Sequence, residues 1–434
     1  MDLKSKILAF KRFSFRAYGE SLRLIRAGEL FYVIFLFAGI FAESCIKVLL
    51  LPKQKWSKRK IFREHLFLSC MRNYDYLRVS LRGSLRICTT YRCNASCENC
   101  YARGLAEGKS EDMSVEDFLR TVTWAKKNSF HTIRFLGGEP TIHPEIVKML
   151  DICYKNKMFV SFATNNLFSE DVLDKMDSFW NTGVSINYNC RETLSEEKMR
   201  LFDSNIKKLK DRRIPFCFTY TFSDREEDWT KFFSDIKQYR PGFVRTSLVL
   251  PDFDSKETGF GLLEYKKLLY NKLYRLQDEL IEAGIPFFNF RPVPSCLLSD
   301  EHWKEIESIF PMLLYTRCMI GYKGDFGLML IVNPDMSTFA CSSVFVQGKN
   351  MYDFKDREDV NDYFREALQL LYSTPAMKQC ESCSDNANLV RSVNEEELIN
   401  DSYKYFLDQV CQCGCLNFKW HTMNRIIKEK ENVC

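Results

Sequence analysis

Histidine is scarce in this chain: five residues in 434. Zinc sites that mix cysteine with histidine are thereby disfavoured against all-thiolate metal sites. Net charge is low as well, +5 at pH 7, so a nucleic-acid partner is not expected. There is no internal repeat and no low-complexity tract. No clear secretory signal or small-residue cleavage site is evident near the N-terminus, nor is a winged-helix pattern of the kind that holds peptides.

What the chain does have is cysteine, 18 residues, several times the usual share. They fall in short-spaced groups, which favours metal binding over a disulfide framework. Apolar residues at 46% and aromatics at 14% suffice for a sizeable core and exclude global disorder. The length suggests two or three domains. Charge is unevenly placed. Residues 1–72 hold 15 Lys/Arg against 5 Asp/Glu, a net +10, and the remainder holds 47 against 52, a net −5.

Three regions follow from these shifts: residues 1–73, 74–290 and 291–434. The first is a basic, apolar helical extension. Within it Leu30–Leu51, 22 residues, is long enough to span a bilayer. Glu43 and Lys47 oppose deep insertion; they are four apart and can pair on one helix face. Two readings stand: a segment lying at a membrane surface, or a helix pair packed on the body of the protein.

The second region alternates strands with helices. Strands are expected at Ser84–Thr90, Thr132–Leu136, Phe159–Thr164, Gly183–Tyr188, Pro215–Phe222 and Phe243–Val249. Helices are expected at Ser114–Asn128, Pro144–Asn156, Ser169–Met176, Ser195–Arg212, Arg225–Tyr239 and Leu262–Ala283, the last ended by Gly284. Such alternation argues for an α/β fold, a parallel sheet closed fully or partly as a barrel. Six units fall short of a full barrel's eight, so a partial (β/α)6 TIM-like barrel is expected. The third region reads as a Cys-rich α+β module. Phe326–Val332 and Thr338–Val344 flank Asn333-Pro334-Asp335-Met336, a hairpin turn. Helical segments are expected near 357–372, 395–409 and 416–431.

Cys93-Asn-Ala-Ser-Cys97-Glu-Asn-Cys100 places three thiolates in eight residues directly after the first strand. Barrel sites form at the C-terminal ends of strands, and thiolates are the ligands of iron–sulfur clusters. Three of them leave one iron of a cubane open to a small molecule. Gly137-Gly138-Glu139-Pro140 follows the second strand. Its glycines allow close backbone approach, and Glu139 offers a carboxylate to a ligand amine. Either motif alone also reads as chance spacing or an ordinary turn.

Together they resemble the radical S-adenosylmethionine (SAM) superfamily, over about residues 84–250. The resemblance implies a SAM-binding [4Fe-4S] cluster on Cys93, Cys97 and Cys100, with Gly137, Gly138, Glu139 and Pro140 beside SAM. It implies reductive cleavage of SAM to a 5′-deoxyadenosyl radical that takes a hydrogen atom from the substrate. A flavodoxin- or ferredoxin-like electron donor is then an expected partner. Thr164-Asn165-Asn166 resembles the family's TNG-like turn, and Ser185-Ile186-Asn187 resembles its Ser-Ile-Asp. Thr164, Asn165, Ser185 and Asn187 are therefore expected near SAM or substrate; strand capping is the plainer alternative. Asn99 stands where many relatives carry an aromatic residue. No catalytic side chain is assigned.

Ile331 to Cys341 is similar to the I-x-P-D-G-x-x-x-C hairpin of SPASM and twitch modules, with Met336 in place of glycine. That likeness implies an auxiliary [4Fe-4S] cluster on Cys318, Cys341, Cys380 and Cys383. A structural zinc site accepts the same ligands. Cys296, Cys411, Cys413 and Cys415 could add to either set. Cys45, Cys70, Cys88, Cys153, Cys190, Cys217 and Cys434 lie singly and read as small buried apolar residues. The substrate is expected to be a peptide, a protein or a membrane-associated small molecule. Cluster chemistry needs a reducing compartment, so the body is expected in the cytoplasm, with residues 1–60 at a membrane surface on the first of the two readings. The competing classes are a non-catalytic iron–sulfur carrier and a Cys-rich zinc protein.

Overall fold

The computed structural model describes residues 84–97, 100, 102, 112–177, 182–222, 229–248, 330–341 and 344–367, with single positions between 38 and 46 and between 272 and 289. The chain divides into two compact units, residues 1–74 with 305–311, and residues 75–304 with 312–434. In the first unit the described positions are helical, with Ser44 buried and Phe41 and Ile46 exposed. Among the described residues no helix is long and apolar enough to cross a membrane. Most of Leu30–Leu51 lies outside them.

The second unit is built on alternation. Its strands are β1 (Ser84–Thr90), β2 (Thr132–Gly137), β3 (Phe159–Thr164), β4 (Thr182–Asn187), β5 (Phe216–Phe222), β6 (Val244–Leu248) and β7 (Phe287–Asn289). Helices α1 (Val115–Lys127), α2 (Ile146–Lys155), α3 (Glu170–Asp177), α4 (Glu196–Asp211) and α5 (Thr230–Tyr239) connect them. After β8 (Ile331–Val332), β9 (Ser337–Cys341) and β10 (Val344–Asn350) comes α6 (Arg357–Ala367).

Helix starts follow ordinary capping chemistry. Ser114 Oγ accepts from Asp117 N at 3.0 Å ahead of α1, and Ser195 Oγ accepts from Lys198 N at 3.5 Å ahead of α4. The strands alternate in burial. In β3, Val160, Phe162 and Thr164 are buried while Phe159, Ser161 and Ala163 are half-buried. Phe118 of α1 stacks on Phe135 of β2 at 5.5 Å, and Phe135 stacks on Phe162 of β3 at 4.8 Å. The face that carries Phe135 and Phe162 therefore packs under helices. The polar alternates, Arg134 and Ser161, stand on the opposite face, which leaves that face for a site.

All ten strands form one sheet in the order β10-β9-β8-β1-β2-β3-β4-β5-β6-β7. Pairing is parallel from β8 through β7 and antiparallel at β8–β9 and β9–β10. The parallel α/β core is as expected. Among the described residues no ladder closes a barrel, and β7 and β10 are the sheet's edges. The hairpin assigned from sequence to a separate third region extends this same sheet.

Its turn is as read. Met336 N donates to Asn333 O at 3.0 Å, and Met336 sits at φ +66°. A left-handed backbone costs a non-glycine residue about 1–2 kcal/mol. Met336 offsets this with a side chain that is only 4% exposed, which gives a physical reason for methionine at a glycine-like position.

Candidate functional site

β1 delivers the cysteine loop and β2 delivers the paired glycines, side by side at the C-terminal end of the sheet. Gly138 N donates to Thr90 O at 2.9 Å, and Glu139 N donates to Arg92 O at 2.8 Å. Both glycines are required by this approach. A Cβ on Gly137, at φ +123°, would lie 2.1 Å from Thr90 O. One on Gly138 would lie 2.3 Å from Arg92 O and 2.5 Å from Tyr91 O. The close contact of this pair is thus with the chain just ahead of Cys93.

Glu139 is fully buried. Its Oε1 accepts from Thr141 N at 3.1 Å, Thr141 Oγ1 at 2.5 Å and Thr164 Oγ1 at 2.9 Å. Its Oε2 accepts from Asn165 N at 2.6 Å. Burial pushes this carboxyl above the usual carboxylate range, and the four donors oppose the shift. Glu139 thus fastens β2 to the end of β3, with Pro140 opening a short 3-10 turn, Pro140–Ile142, behind it.

Thr164 and Asn165 complete the bracket. Asn165 Oδ1 accepts from Leu167 N at 3.0 Å, which turns its amide nitrogen toward the cysteine loop. That nitrogen donates to Asn94 Oδ1 at 2.6 Å and lies 3.7 Å from Cys93 Sγ. Asn166 follows at φ +66°, a conformation asparagine tolerates. From β4, Asn187 Nδ2 reaches Cys97 Sγ at 3.7 Å. Ser185 does not join them; its hydroxyl accepts from Cys217 Sγ at 3.4 Å.

Cys93 is exposed, and Cys97 and Cys100 are half-buried. Burial pushes the Cys97 thiol up to about 11, with neighbouring Cys100 and Cys93 adding to the rise. Burial likewise raises Cys93, with Glu139 and Cys100 contributing. The three sulfurs therefore sit within electrostatic reach of one another. Among the described residues no three His, Cys, Asp or Glu side chains converge as they would on a single ion. A cubane cluster asks for a different arrangement, because each thiolate binds its own iron corner. Mutually repelling thiolates beside amide donors suit such a polynuclear cation.

Cys318, Cys380 and Cys383 lie outside the described residues, as do Cys70, Cys296, Cys411, Cys413, Cys415 and Cys434. Cys341 closes β9. The single cysteines Cys88, Cys153, Cys190 and Cys217 are buried, and Cys45 is half-buried. Several supporting residues were not singled out in the sequence. Asn94 is held by Asn165 at its side chain and by Lys198 Nζ at its carbonyl, 2.6 Å. Tyr91 donates to Asn333 Oδ1 at 2.5 Å in the hairpin turn. Cys190 Sγ donates to Asn165 O at 3.3 Å. Asn94 carried a usable signal, a polar side chain inside the cysteine motif; the other two carried none.

A sequence model of the Radical SAM superfamily matches residues 87–231. A relative named "Probable GTP 3',8-cyclase" from Saccharolobus islandicus is 30% identical over 234 residues, covering 50% of this chain and 72% of that protein. The chain belongs to the radical SAM superfamily. Two solved structures share its fold. One, a histidine-tagged anSMEcpe with bound AdoMet, has a TM-score of 0.53 at 14% identity and covers 81% of this chain and 99% of that one. The other, Streptococcus suis SuiB, has a TM-score of 0.50 at 15% identity and covers 88% and 91%. For a radical SAM chain the implied cofactors are SAM and a [4Fe-4S] cluster.

Proposed function

We propose that Cys93, Cys97 and Cys100 hold the SAM-binding [4Fe-4S] cluster and that this chain is a SAM-cleaving radical enzyme. The observation that carries this is one juxtaposition. Three thiols, a glycine pair pressed against their loop, and amides from β3 and β4 meet at one end of a parallel sheet. When bound, the cluster would supply the electron for reductive cleavage of SAM to the 5′-deoxyadenosyl radical, which would take a hydrogen atom from the substrate.

The chain's own residues prepare that step. Gly137 and Gly138 keep the mouth beside the loop free of side chains. Glu139, whose partners among the described residues are neutral donors, supplies negative charge at a place where it attracts the ammonium of SAM. Thr164, Asn165 and Asn187 fix the loop and its sulfurs. Ser185, one pleat below Asn187, lines the face beneath. A flavodoxin- or ferredoxin-like donor supplies electrons, and Cys318, Cys341, Cys380 and Cys383 hold an auxiliary cluster. Similarity to proteins named as GTP 3',8-cyclases makes a nucleotide the first substrate to try, beside a peptide or a membrane-borne small molecule.

The test is substitution of Cys93, Cys97 and Cys100 together by alanine in the full chain. Anaerobic reconstitution should then give about four fewer iron atoms per chain than in the parent. Formation of 5′-deoxyadenosine from SAM under reduction should disappear. Persistent cleavage in the triple variant would sink the reading.

A further inference from the structure

Two amide nitrogens stand over two of the three sulfurs, one from the residue that follows β3 and one from the last residue of β4. Asn165 Nδ2 is 3.7 Å from Cys93 Sγ, and Asn187 Nδ2 is 3.7 Å from Cys97 Sγ. The Asn165 side chain is held at both ends, and the backbone that carries Asn187 is fixed. The Asn165 amide is oriented at its oxygen by Leu167 N and at its nitrogen by Asn94 Oδ1, so its second N–H is the one left for sulfur. Its backbone N–H is fastened to the buried Glu139. Asn187 is the last residue of β4, paired in register with Thr219 of β5, and the turn that follows is anchored by Tyr188 on Asp235 at 2.7 Å. A thiolate only accepts, so the nitrogen end of each amide is the end that faces it.

We propose that Asn165 and Asn187 are positioning residues for the thiolate shell of the core cluster, donating one N–H each to Cys93 and Cys97 and thereby raising the cluster's reduction potential. This rests on the assignment of those cysteines as cluster ligands. The direction follows from charge. One-electron reduction makes the cluster and its thiolates more electron-rich, so donors to sulfur stabilise the reduced form more than the oxidised one. Removing a donor reverses this. Replacing it by an acceptor of the same shape goes further, because a carboxylate repels the thiolate that the amide had held.

The pair therefore sets a compromise. A higher potential eases loading of the electron from the donor protein and lessens the force with which that electron cleaves SAM. The experiment is an EPR-monitored redox titration of the reconstituted full-length protein, followed on the signal that added SAM perturbs, with iron counted in each sample. Asn187→Ala and Asn165→Ala should each move the midpoint to more negative potential, and Asn187→Asp should move it further than Asn187→Ala. Midpoints are compared only between samples whose iron content equals the parent's. Unmoved midpoints at full iron content overturn the proposal while leaving the cluster assignment intact. Should Asn187→Asp lose iron, the two alanine variants decide. A parent protein with no SAM-perturbed signal refutes the underlying assignment instead.

Discussion

Two carboxylates, Asp235 and Glu139, are buried completely, and they are held in opposite ways. Asp235 of α5 is surrounded by charge. It pairs with Lys231, accepts from Tyr188 Oη at 2.7 Å, and has Arg191 Nε at 3.8 Å. Arg191 in turn pairs with Asp203 at 2.8 Å. Glu139 is surrounded by neutral donors, two threonine hydroxyls and two backbone N–H groups. A buried charge is usually paired with a cation, since desolvation is otherwise expensive. The molecule follows that rule on the α5 side and departs from it beside the cysteine loop. What differs is the partner: the first carboxylate is neutralised by cations and holds a turn in place, and the second is held by neutral donors beside the cysteine loop; on the function proposed above, that second charge is the one that draws the ammonium of SAM.

Exchanging charge for shape at the two positions breaks the comparison apart. Glu139→Ala strands four buried neutral donors, each costing about 1–3 kcal/mol if left unsatisfied, and should bring a ten- to hundredfold loss of SAM affinity. Glu139→Gln keeps the volume, so most of the SAM loss should persist with a smaller fall in stability. Asp235→Asn should do the reverse, lowering stability by about 1.5–3 kcal/mol, the worth of hydrogen bonds to a charged group, with SAM affinity unchanged. Urea melts paired with SAM titration by calorimetry read both quantities. If Asp235→Asn weakens SAM as strongly as Glu139→Gln does, the division of labour is wrong.

A smaller effect sharpens it. Gly138→Ala forces a methyl group against two carbonyl oxygens of the segment between β1 and Cys93. The backbone must part there, costing about 1–3 kcal/mol, and iron incorporation should fall because the cysteine loop shifts with it. Colorimetric iron after reconstitution checks this; Gly242→Ala, whose new Cβ would meet Phe216 O at 3.4 Å, is the control.

The smallest effect is pH-dependent. His143 lies behind the Glu139 turn, with Nδ1 accepting from Glu145 N at 3.1 Å and Nε2 3.0 Å from Met113 O. An accepting Nδ1 leaves the proton on Nε2, so the ring is neutral, and burial lowers its pKa in the folded protein. The unfolded chain titrates near the ordinary value of about 6.5 and binds the proton first. Stability from this histidine is therefore full above that pH and falls as pH drops through it. Denaturant midpoints between pH 7.5 and 5.5 should decline more steeply for the parent than for His143→Gln.

The alternation of strands and helices was legible because each parallel strand buries one face under helices. β1 and β3 end where the sequence pattern ends, at Thr90 and Thr164. β7, Phe287–Asn289, was not legible: three residues give no period to read. β10 was missed for another reason. Thr338–Val344 reads as one strand running through Cys341-Ser342-Ser343, whereas β9 stops at Cys341 and β10 starts again at Val344. At the site, residues adjacent in sequence to a motif were found, since strand ends bring motifs together. The Glu139 bracket was not, because Thr164 and Asn165 lie 25 and 26 residues away and nothing in their spacing marks the pairing. Glu139 was expected to offer its carboxylate to a ligand amine; its oxygens also join β2 to the end of β3.

The hydrogen bond from Tyr91 to Asn333 spans 242 residues of chain, and β8 lies along β1 through Arg86–Ile331 and Ile87–Val332. On the ribosome the cysteine loop emerges long before these partners do. Until the hairpin has been made, β1 lacks its β8 neighbour on that side, and the Tyr91 hydroxyl lacks this acceptor. The loop acquires its final neighbour only when all of the intervening polypeptide has been translated, so cluster loading into a finished site has to wait for that stretch of synthesis rather than accompany it.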